Sequence, residues 1–309
     1  MPPEVSILIA SWNAGAYIGR CLGSLDPDRY EVIVVDNAST DGSADEAARA
    51  SPRATIVREA RNLGFAGAVN GAAARARGRF FLLLNPDCRA QPGGIDRLAA
   101  FLDAHVDYGA VGGCLVDEDG GIQRGFTVRR FPTLATWVVD LLLIDKLWPG
   151  NPISRRYLAL DLDLTKPQDV DQPAAACLML RREAFAGAGG LDEQFHPAWY
   201  EDVDLCRSLK RAGWRIGYTP DAPFVHEGGV AMRALGLGAF SRVWYRNLLR
   251  YADKHHGTGT RVTLRVLITV GMIMRAAASI VTGRPQDAKA YLGVLRDVVR
   301  PTFRSGEPT

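Results

Sequence analysis

The chain of 309 residues is poor in the features that mark several common protein classes. Its five cysteines, Cys21, Cys88, Cys114, Cys177 and Cys206, are odd in number and never closer than 26 residues. No C-x-x-C pair exists, which argues against a zinc site or a disulfide framework and fits a reducing compartment. No G-x-x-x-x-G-K-[ST] sequence occurs, so a Walker-type phosphate loop is absent. The glycine-rich stretch from Asn62 to Ala68 does not follow a strand with G-x-G-x-x-G spacing, and the first strand turn has only Gly15. A nicotinamide-binding Rossmann domain is therefore disfavoured. No basic n-region precedes Val5–Ala10, so a cleaved signal peptide is not expected. No run reaches roughly 18 uncharged apolar residues, so no spanning helix is expected. What is left is a chain long enough to bury one large core, or a domain and an appendage.

Charge divides that chain unevenly. Residues 230–309 hold 13 Lys/Arg against 4 Asp/Glu, whereas residues 1–229 hold 24 against 30. An acidic body with a basic tail suggests that the two parts meet different partners. The cut falls near Gly228-Gly229, giving a domain over 1–229 and an extension over 230–309.

Within the body, apolar strands alternate with helices. Val5–Ala10, Glu31–Asp36, Thr55–Arg58 and Arg79–Leu84 read as strands. Helices are expected from about Tyr17 to Leu25 and from about Gly67 to Arg77. Strands that are apolar throughout imply an α/β fold with a largely parallel sheet covered on both faces. In such sheets ligands bind beyond the carboxyl ends of the strands. Polar residues gather there: Trp12-Asn13, Asp36-Asn37, Asn85 and Asp87. Asp87 closes the fourth strand, where a hard cation beside ligand phosphates would want a carboxylate. An Asn-Pro-Asp turn is the plainer explanation of the same residues.

A second polar concentration lies at 199–229. Glu201, Asp202 and Asp204 crowd the first turn of a helix whose apolar positions are Val203, Leu205 and Leu209, and Phe224-Val225-His226 follows. Helix-dipole complementation accounts for one or two acids at such a place. Three of them, behind an aromatic pair and ahead of a histidine, suggest chemistry.

Taken in order, these blocks resemble glycosyltransferase family 2, whose fold is GT-A. Val5–Asn13 and Val34–Ser43 are similar to that family's opening. Asn62–Gly71, Leu84–Asp87, Cys177–Arg182, Gly190–Phe195 and Glu201–Leu205 are similar to its subgroup of rhamnosyltransferases of bacterial surface polysaccharides. The resemblance covers roughly residues 5–229, though fold likeness alone does not fix function. It implies that Ala10, Ser11, Trp12, Asn13 and Asp36 line a nucleotide-base pocket, with Asn37, Asn62, Gly64, Asn70 and Asn85 also toward the nucleotide sugar. It places Asp87 and His226 at a divalent cation, Mg²⁺ or Mn²⁺, with Asn85 standing where the family has the first acid of its Asp-x-Asp motif. A lone histidine is more often an ordinary core or surface residue. Asp202 falls where the family has its catalytic base, with Glu201 beside it.

The chemistry this implies is direct transfer. The acceptor hydroxyl is a poor nucleophile, so a carboxylate must take its proton as the new bond forms. With no second carboxylate acting as nucleophile, the anomeric centre inverts. The donor suggested by the subgroup is dTDP-L-rhamnose, and the acceptor is lipid-linked or a polysaccharide of the cell envelope. Two other classes stay in view. A sugar-phosphate nucleotidyltransferase would carry a basic glycine-rich loop after its first strand, and Ser11–Tyr17 has no Lys or Arg. A non-catalytic membrane-bound scaffold would have no need of Asp36, Asp87 and Asp202 together.

The extension reads as amphipathic. Over residues 261–283, Arg261, Arg265, Thr269, Arg275, Ser279 and Thr282 share one helical face, and Val262, Val266, Val270, Ile273 and their neighbours fill the rest. A second stretch, Gln286–Arg300, groups Tyr291, Val294, Leu295 and Val298. Such helices are expected to lie in an anionic membrane surface on its cytoplasmic side, in part through Coulombic attraction that salt would loosen. The alternative is a helix packed on the protein with solvated arginines. No nucleic acid is expected as a partner, because aromatic interleaving and known binding motifs are missing.

Overall fold

A computed structural model of the chain describes residues 3–228 and 230–299. Gly229, at the cut suggested by charge, and residues 300–309, where the second amphipathic stretch ends, lie outside the described residues. The chain forms two compact units. One comprises Met1–Phe131, Leu158–Glu193 and Glu201–Val230, and the other Pro132–Tyr157, Gln194–Tyr200 and Ala231–Thr309. The second unit thus takes in two segments that sequence composition does not set apart from the body.

The first unit begins with β1 (Val5–Ser11), α1 (Gly15–Gly23), β2 (Glu31–Asp36), α2 (Ser43–Ala50), β3 (Thr55–Arg58), α3 (Gly64–Ala73) and β4 (Phe80–Leu84). It continues through β5 (Cys88–Ala90), α4 (Gly94–Ala104), β6 (Tyr108–Val116) and β7 (Val128–Arg129). The chain then passes through α5 (Leu134–Leu141), α6 (Ile144–Leu147) and α7 (Pro152–Tyr157) of the second unit. It returns with β8 (Gln168–Asp169), β9 (Gln172–Pro173), β10 (Cys177–Arg181), α8 (Arg182–Gly187), α9 (Glu201–Arg211) and β11 (Arg215–His226). The second unit ends with α10 (Val230–Val281) and α11 (Pro285–Val299).

Among the described residues, nine strands form one sheet in the order β3-β2-β1-β4-β10-β6-β11-β5, with β8 joined to β11. The run from β3 to β4 is parallel, as continuous apolar strands joined by helices require. β10 enters antiparallel to both β4 and β6, while β6 and β11 are parallel. Successive side chains of each central strand serve opposite faces. Leu8, Ile33, Val35, Phe81, Leu83, Leu178 and Leu180 fill one core with residues of α3, α8 and α9. Ile7, Ile9, Val32, Val34, Leu82, Leu84 and Met179 fill the other with α1 and α4. Both faces are covered, so polar groups are left to the strand ends.

One close approach sets the floor of the strand-end region. A Cβ on Gly112 of β6 would lie 2.3 Å from Cβ of Pro173, so only glycine lets the Gln172–Pro173 strand cross there. That strand leads into Ala174–Ala176 and then β10.

The second unit is organised by side-chain donors that satisfy chain carbonyls. Asn247 donates to the carbonyls of Ala198 (2.8 Å) and Trp199 (3.2 Å), Arg246 to His196 (2.6 Å), and Arg250 to Gln194. Arg275 donates to Asp140 O (2.8 Å) and Leu141 O (2.7 Å). The helical path of α10 is interrupted at Gly236 and Gly257, both with positive φ (71° and 80°). Beyond Gly257 much of the polar face expected over 261–283 is spent internally, while Arg265 Nε is buried without a partner among the described residues. Thr269, Ser279 and Thr282 bond carbonyls one turn back, and Arg261 pairs with Asp253 at 2.9 Å. The exposed residues include Val262, Val266, Val270, Ile273, Ile280 and Val281, together with Thr263 and Thr282. Leu235–Val281 is also long and apolar enough, by length and composition, to cross a membrane. This corrects the expectation that no such stretch exists: the arginines interrupt the run without making it polar.

Candidate active site

The ends of β1 and β2 meet in register, Ser11 beside Asp36. Both are buried. Asp36 accepts the Ser39 amide on Oδ2 at 3.1 Å, but its Oδ1 and the Ser11 hydroxyl have no partner among the described residues. Buried polar atoms are nearly always satisfied, so two neighbouring orphans mark a place for ligand groups or ordered water. The loops above them are held in unusual backbone. Asn13 and Ala38 have φ of 48° and 57°, a left-handed conformation that costs a non-glycine residue roughly 1 kcal/mol or more. Asn13 is fixed by taking the Thr40 amide on Oδ1 (2.9 Å) and giving its own amide to Ser39 Oγ (2.9 Å). Trp12 and Ala10 are half-buried beside them.

The next group is a knot. Asn37 donates to Gly64 O (3.2 Å) and accepts from the Leu63 amide (3.1 Å), and Asn62 accepts the Gly64 amide at 2.8 Å. Gly64 has φ of 77°, which opens α3 without strain. These residues tie the start of α3 to the end of β2 and so shape the wall of the site. Asn70 points elsewhere. Its amide is taken up by Leu191 N, Leu191 O and Glu193 Oε1 at 2.8–3.0 Å. These bonds tie α3 to the segment around Leu191.

The turn after β4 is anchored through its backbone. The Asn85 amide donates to Ala176 O (3.1 Å), and the Cys88 amide closes the turn on Asn85 O (3.0 Å). Asp87 is 9% exposed and His226 3%. Their Oδ1 and Nε2 atoms lie 3.6 Å apart, because β11 pairs with β5 and sets His226 opposite Cys88. Donor atoms of Asp87, Cys88 and His226 all fall within 4.8 Å of one another. Burial pushes the His226 pKa down, against the opposing pull of Asp87 and Glu227, so the imidazole is disposed to be neutral. One carboxylate, one imidazole and one thiol form a set that a divalent transition ion fits better than Mg²⁺, which prefers oxygen ligands. Two residues absent from the sequence reading complete this corner. Gln123 Oε1 lies 2.8 Å from His226 Nδ1, and the Phe126 ring stacks on the imidazole at 4.9 Å and 10°.

The acids of α9 separate on inspection. Asp202 is half-buried and lightly held, by Gln172 Nε2 at 3.4 Å and the Ala175 amide at 3.5 Å, besides the neighbouring Val203 amide at 2.8 Å. Burial raises its pKa, and Arg129 is among the groups that oppose the rise. A carboxylate with a raised pKa and an accessible edge is suited to proton abstraction near neutrality. Glu201 is buried, its Oε2 has no partner among the described residues, and burial together with Asp202 raises its pKa well above the carboxylate range. Asp204 is buried too. Ala175 and Ala176 link the two halves of the site, since one amide reaches Asp202 and the next carbonyl reaches Asn85.

A strand-end site of this kind, on a sheet whose parallel run is joined by antiparallel β10 and edged by antiparallel β5 and β8, is the arrangement of the GT-A fold. Comparison with known proteins agrees. The family model for glycosyl transferase family 2 matches residues 6–186, and the chain belongs to that family. It is 29% identical, over 95% of its length and 99% of the relative's, to the N-acetylglucosaminyl-diphospho-decaprenol L-rhamnosyltransferase of Mycobacterium tuberculosis. It is 26% identical to the rhamnosyltransferase WbbL of Escherichia coli over 48% of this chain and 52% of that one. Among solved structures, a Pyrobaculum calidifontis mannosyltransferase in complex with GDP-Man and Mn²⁺ aligns with a TM-score of 0.58 and 17% identity. That alignment covers 98% of this chain and 88% of that one.

Proposed function

We propose that this glycosyltransferase transfers a sugar, with inversion, from a pyrimidine nucleotide donor to a lipid-linked or polysaccharide acceptor in cell-envelope glycan synthesis. The observation that carries the donor reading is the pair of buried, unpartnered atoms at the ends of β1 and β2, Ser11 Oγ and Asp36 Oδ1. A carboxylate oxygen accepts, and a hydroxyl can donate. The ring N–H and neighbouring carbonyl of uracil or thymine offer that complement. The rhamnosyltransferase name of the mycobacterial relative supports dTDP-L-rhamnose as the sugar donor and a polyprenyl-diphosphate-linked acceptor.

In the transfer step Asp202 takes the proton of the acceptor hydroxyl while that oxygen bonds to the anomeric carbon. The bond from the anomeric carbon to the diphosphate oxygen breaks, and its electron pair leaves with the nucleoside diphosphate. Gln172 and the Ala175 amide hold Asp202 in place without neutralising it. Asp87 and His226, with Cys88 beside them, would hold a divalent cation, for which Mn²⁺ suits the donor set better than Mg²⁺. Such an ion offsets negative charge gathering on the leaving diphosphate.

The exposed aliphatic face of α10 supports peripheral attachment to a bilayer, where a polyprenyl-linked acceptor resides. The basic composition of residues 230–309 complements anionic headgroups. A donor screen tests the whole reading. Purified protein with Mn²⁺ is offered dTDP-rhamnose, UDP-GlcNAc, UDP-galactose and GDP-mannose, and bound or released nucleoside diphosphate is measured. Preference for GDP-mannose would overturn the pyrimidine assignment.

A further inference from the structure

Gln123 lies in the segment that follows β6, far from any motif, yet both ends of its amide are committed to one residue. Its Nε2 donates to the backbone carbonyl of His226 at 2.6 Å, and its Oε1 faces His226 Nδ1 at 2.8 Å. The first bond fixes which end of the amide is which, since a carbonyl can only accept. Oε1 then meets the ring, and an amide oxygen also only accepts, so Nδ1 must carry the hydrogen. The Gln123 backbone is itself held, by its amide on Leu115 O (2.9 Å) and by Thr127, whose amide and hydroxyl both donate to Gln123 O (2.9 and 3.1 Å). Phe126 from the same segment stacks on the ring and limits its rotation. The imidazole is thus fixed in plane and in tautomer, with Nε2 turned to Asp87 Oδ1 at 3.6 Å.

We infer that Gln123 is a positioning residue that locks His226 as the Nδ1–H tautomer, presenting the Nε2 lone pair beside the Asp87 carboxylate for a divalent cation. This rests on the metal reading given above, and deepens it. A ring nitrogen that binds metal is typically oriented by a hydrogen bond on its other nitrogen, and losing that partner costs about tenfold to a hundredfold in metal affinity. In a neutral imidazole the arrangement sets a lone pair and a carboxylate face to face. That is unfavourable by itself and favourable once a cation lies between them.

Two measurements on the full-length protein test the inference. ¹⁵N-histidine NMR, with the His226 signals assigned by their loss in His226→Gln, reads the tautomer without metal. Wild type should give a pyrrole-like Nδ1 and a pyridine-like Nε2, and Gln123→Met should shift the ring toward the other tautomer or a mixture. Mn²⁺ titration followed by electron paramagnetic resonance should then give a dissociation constant about tenfold to a hundredfold weaker for Gln123→Met. Gln123→Glu keeps an acceptor for Nδ1–H and should stay within a few-fold of wild type. An Nε2–H tautomer in wild type, or equal weakening by both substitutions, would overturn the role. If wild type binds no Mn²⁺ while the Nδ1–H tautomer is found and lost as described, the metal reading falls and the positioning by Gln123 stands.

Discussion

The two units differ most in the hydrocarbon they expose. In the first, aliphatic side chains are packed on both sheet faces, while buried oxygens on Ser11, Asp36 and Glu201 lack partners among the described residues. In the second, Arg246, Asn247, Arg250 and Arg275 donate to carbonyls of the segments around 140 and 194–199, polar atoms of Trp137, Asp145 and Arg265 are also buried without partners among the described residues, and a row of valines and isoleucines faces out. An unsatisfied hydrogen-bonding group in a dry place calls for a small polar ligand. Uncovered hydrocarbon calls for a broad apolar surface. The strand-end oxygens of Ser11 and Asp36 and the exposed aliphatic row of α10 are each left open to the partner expected to complete them.

Experiments can break this contrast, and the greatest effect is expected at the base. Asp202→Asn should lower kcat by about 10²–10⁴ while leaving donor affinity within roughly twofold, because only proton removal is lost. Turnover close to wild type would mean that another group takes the proton. Next comes the cation corner. Asp87→Ala should weaken donor binding in Mn²⁺ by about tenfold to a hundredfold, and undiminished wild-type activity in excess EDTA would leave Asn85-Pro86-Asp87 as a turn.

The second unit is probed by charge placed in its aliphatic row. Val266→Glu should reduce flotation with anionic liposomes by about tenfold or more, since it replaces an exposed valine that would enter the bilayer with a charge. Arg275 is turned inward, so raising salt should loosen attachment less than that substitution does. A protein released mainly by salt would return the weight to its basic residues.

A smaller effect is expected from Glu201→Gln on stability. Burial raises the folded-state pKa of Glu201, so the folded chain keeps this proton to higher pH than the unfolded chain. Its contribution is full below the ordinary carboxylate range and declines as pH rises toward the folded value. The substitution should therefore be nearly neutral in acid and stabilising, on the order of 1 kcal/mol, at higher pH. A gain that shrinks as pH rises would show that Glu201 is satisfied as a carboxylate.

The parallel part of the sheet was legible because the stretches 7–10, 32–35 and 80–84 of β1, β2 and β4 are apolar without interruption, as a doubly covered sheet favours. The direction of β10 was not, since Cys177–Arg181 has the same apolar character and an inserted antiparallel strand leaves no mark in periodicity. Asp87 and His226 were legible through the family resemblance, and the structure does set them side by side. Gln123 and Gln172 were invisible because each acts through an amide whose partner is about 100 or 30 residues away, and nothing local signals it. The bonds of Asn70 to Leu191 were equally invisible, since their partner is 121 residues away. The helical wheel of 261–283 separated the arginines from the valines and isoleucines, but did not single out Leu264, Ile268 and Met272, which are fully buried. Periodicity divides a helix into faces, but only its neighbours determine which face is covered.

All five cysteines are buried, and none is joined in a disulfide among the described residues. Burial pushes the Cys206 thiol well above its ordinary pKa, so in the closed protein it has little thiolate to react. Cys206 lies on α9, one turn beyond Asp202, with its side chain in the core. A thiol reagent can reach it only when that helix lifts away. The rate of Cys206 alkylation is therefore a clock for local opening of the element that carries the base, and bound donor should slow the clock if nucleotide closes the strand ends beneath it.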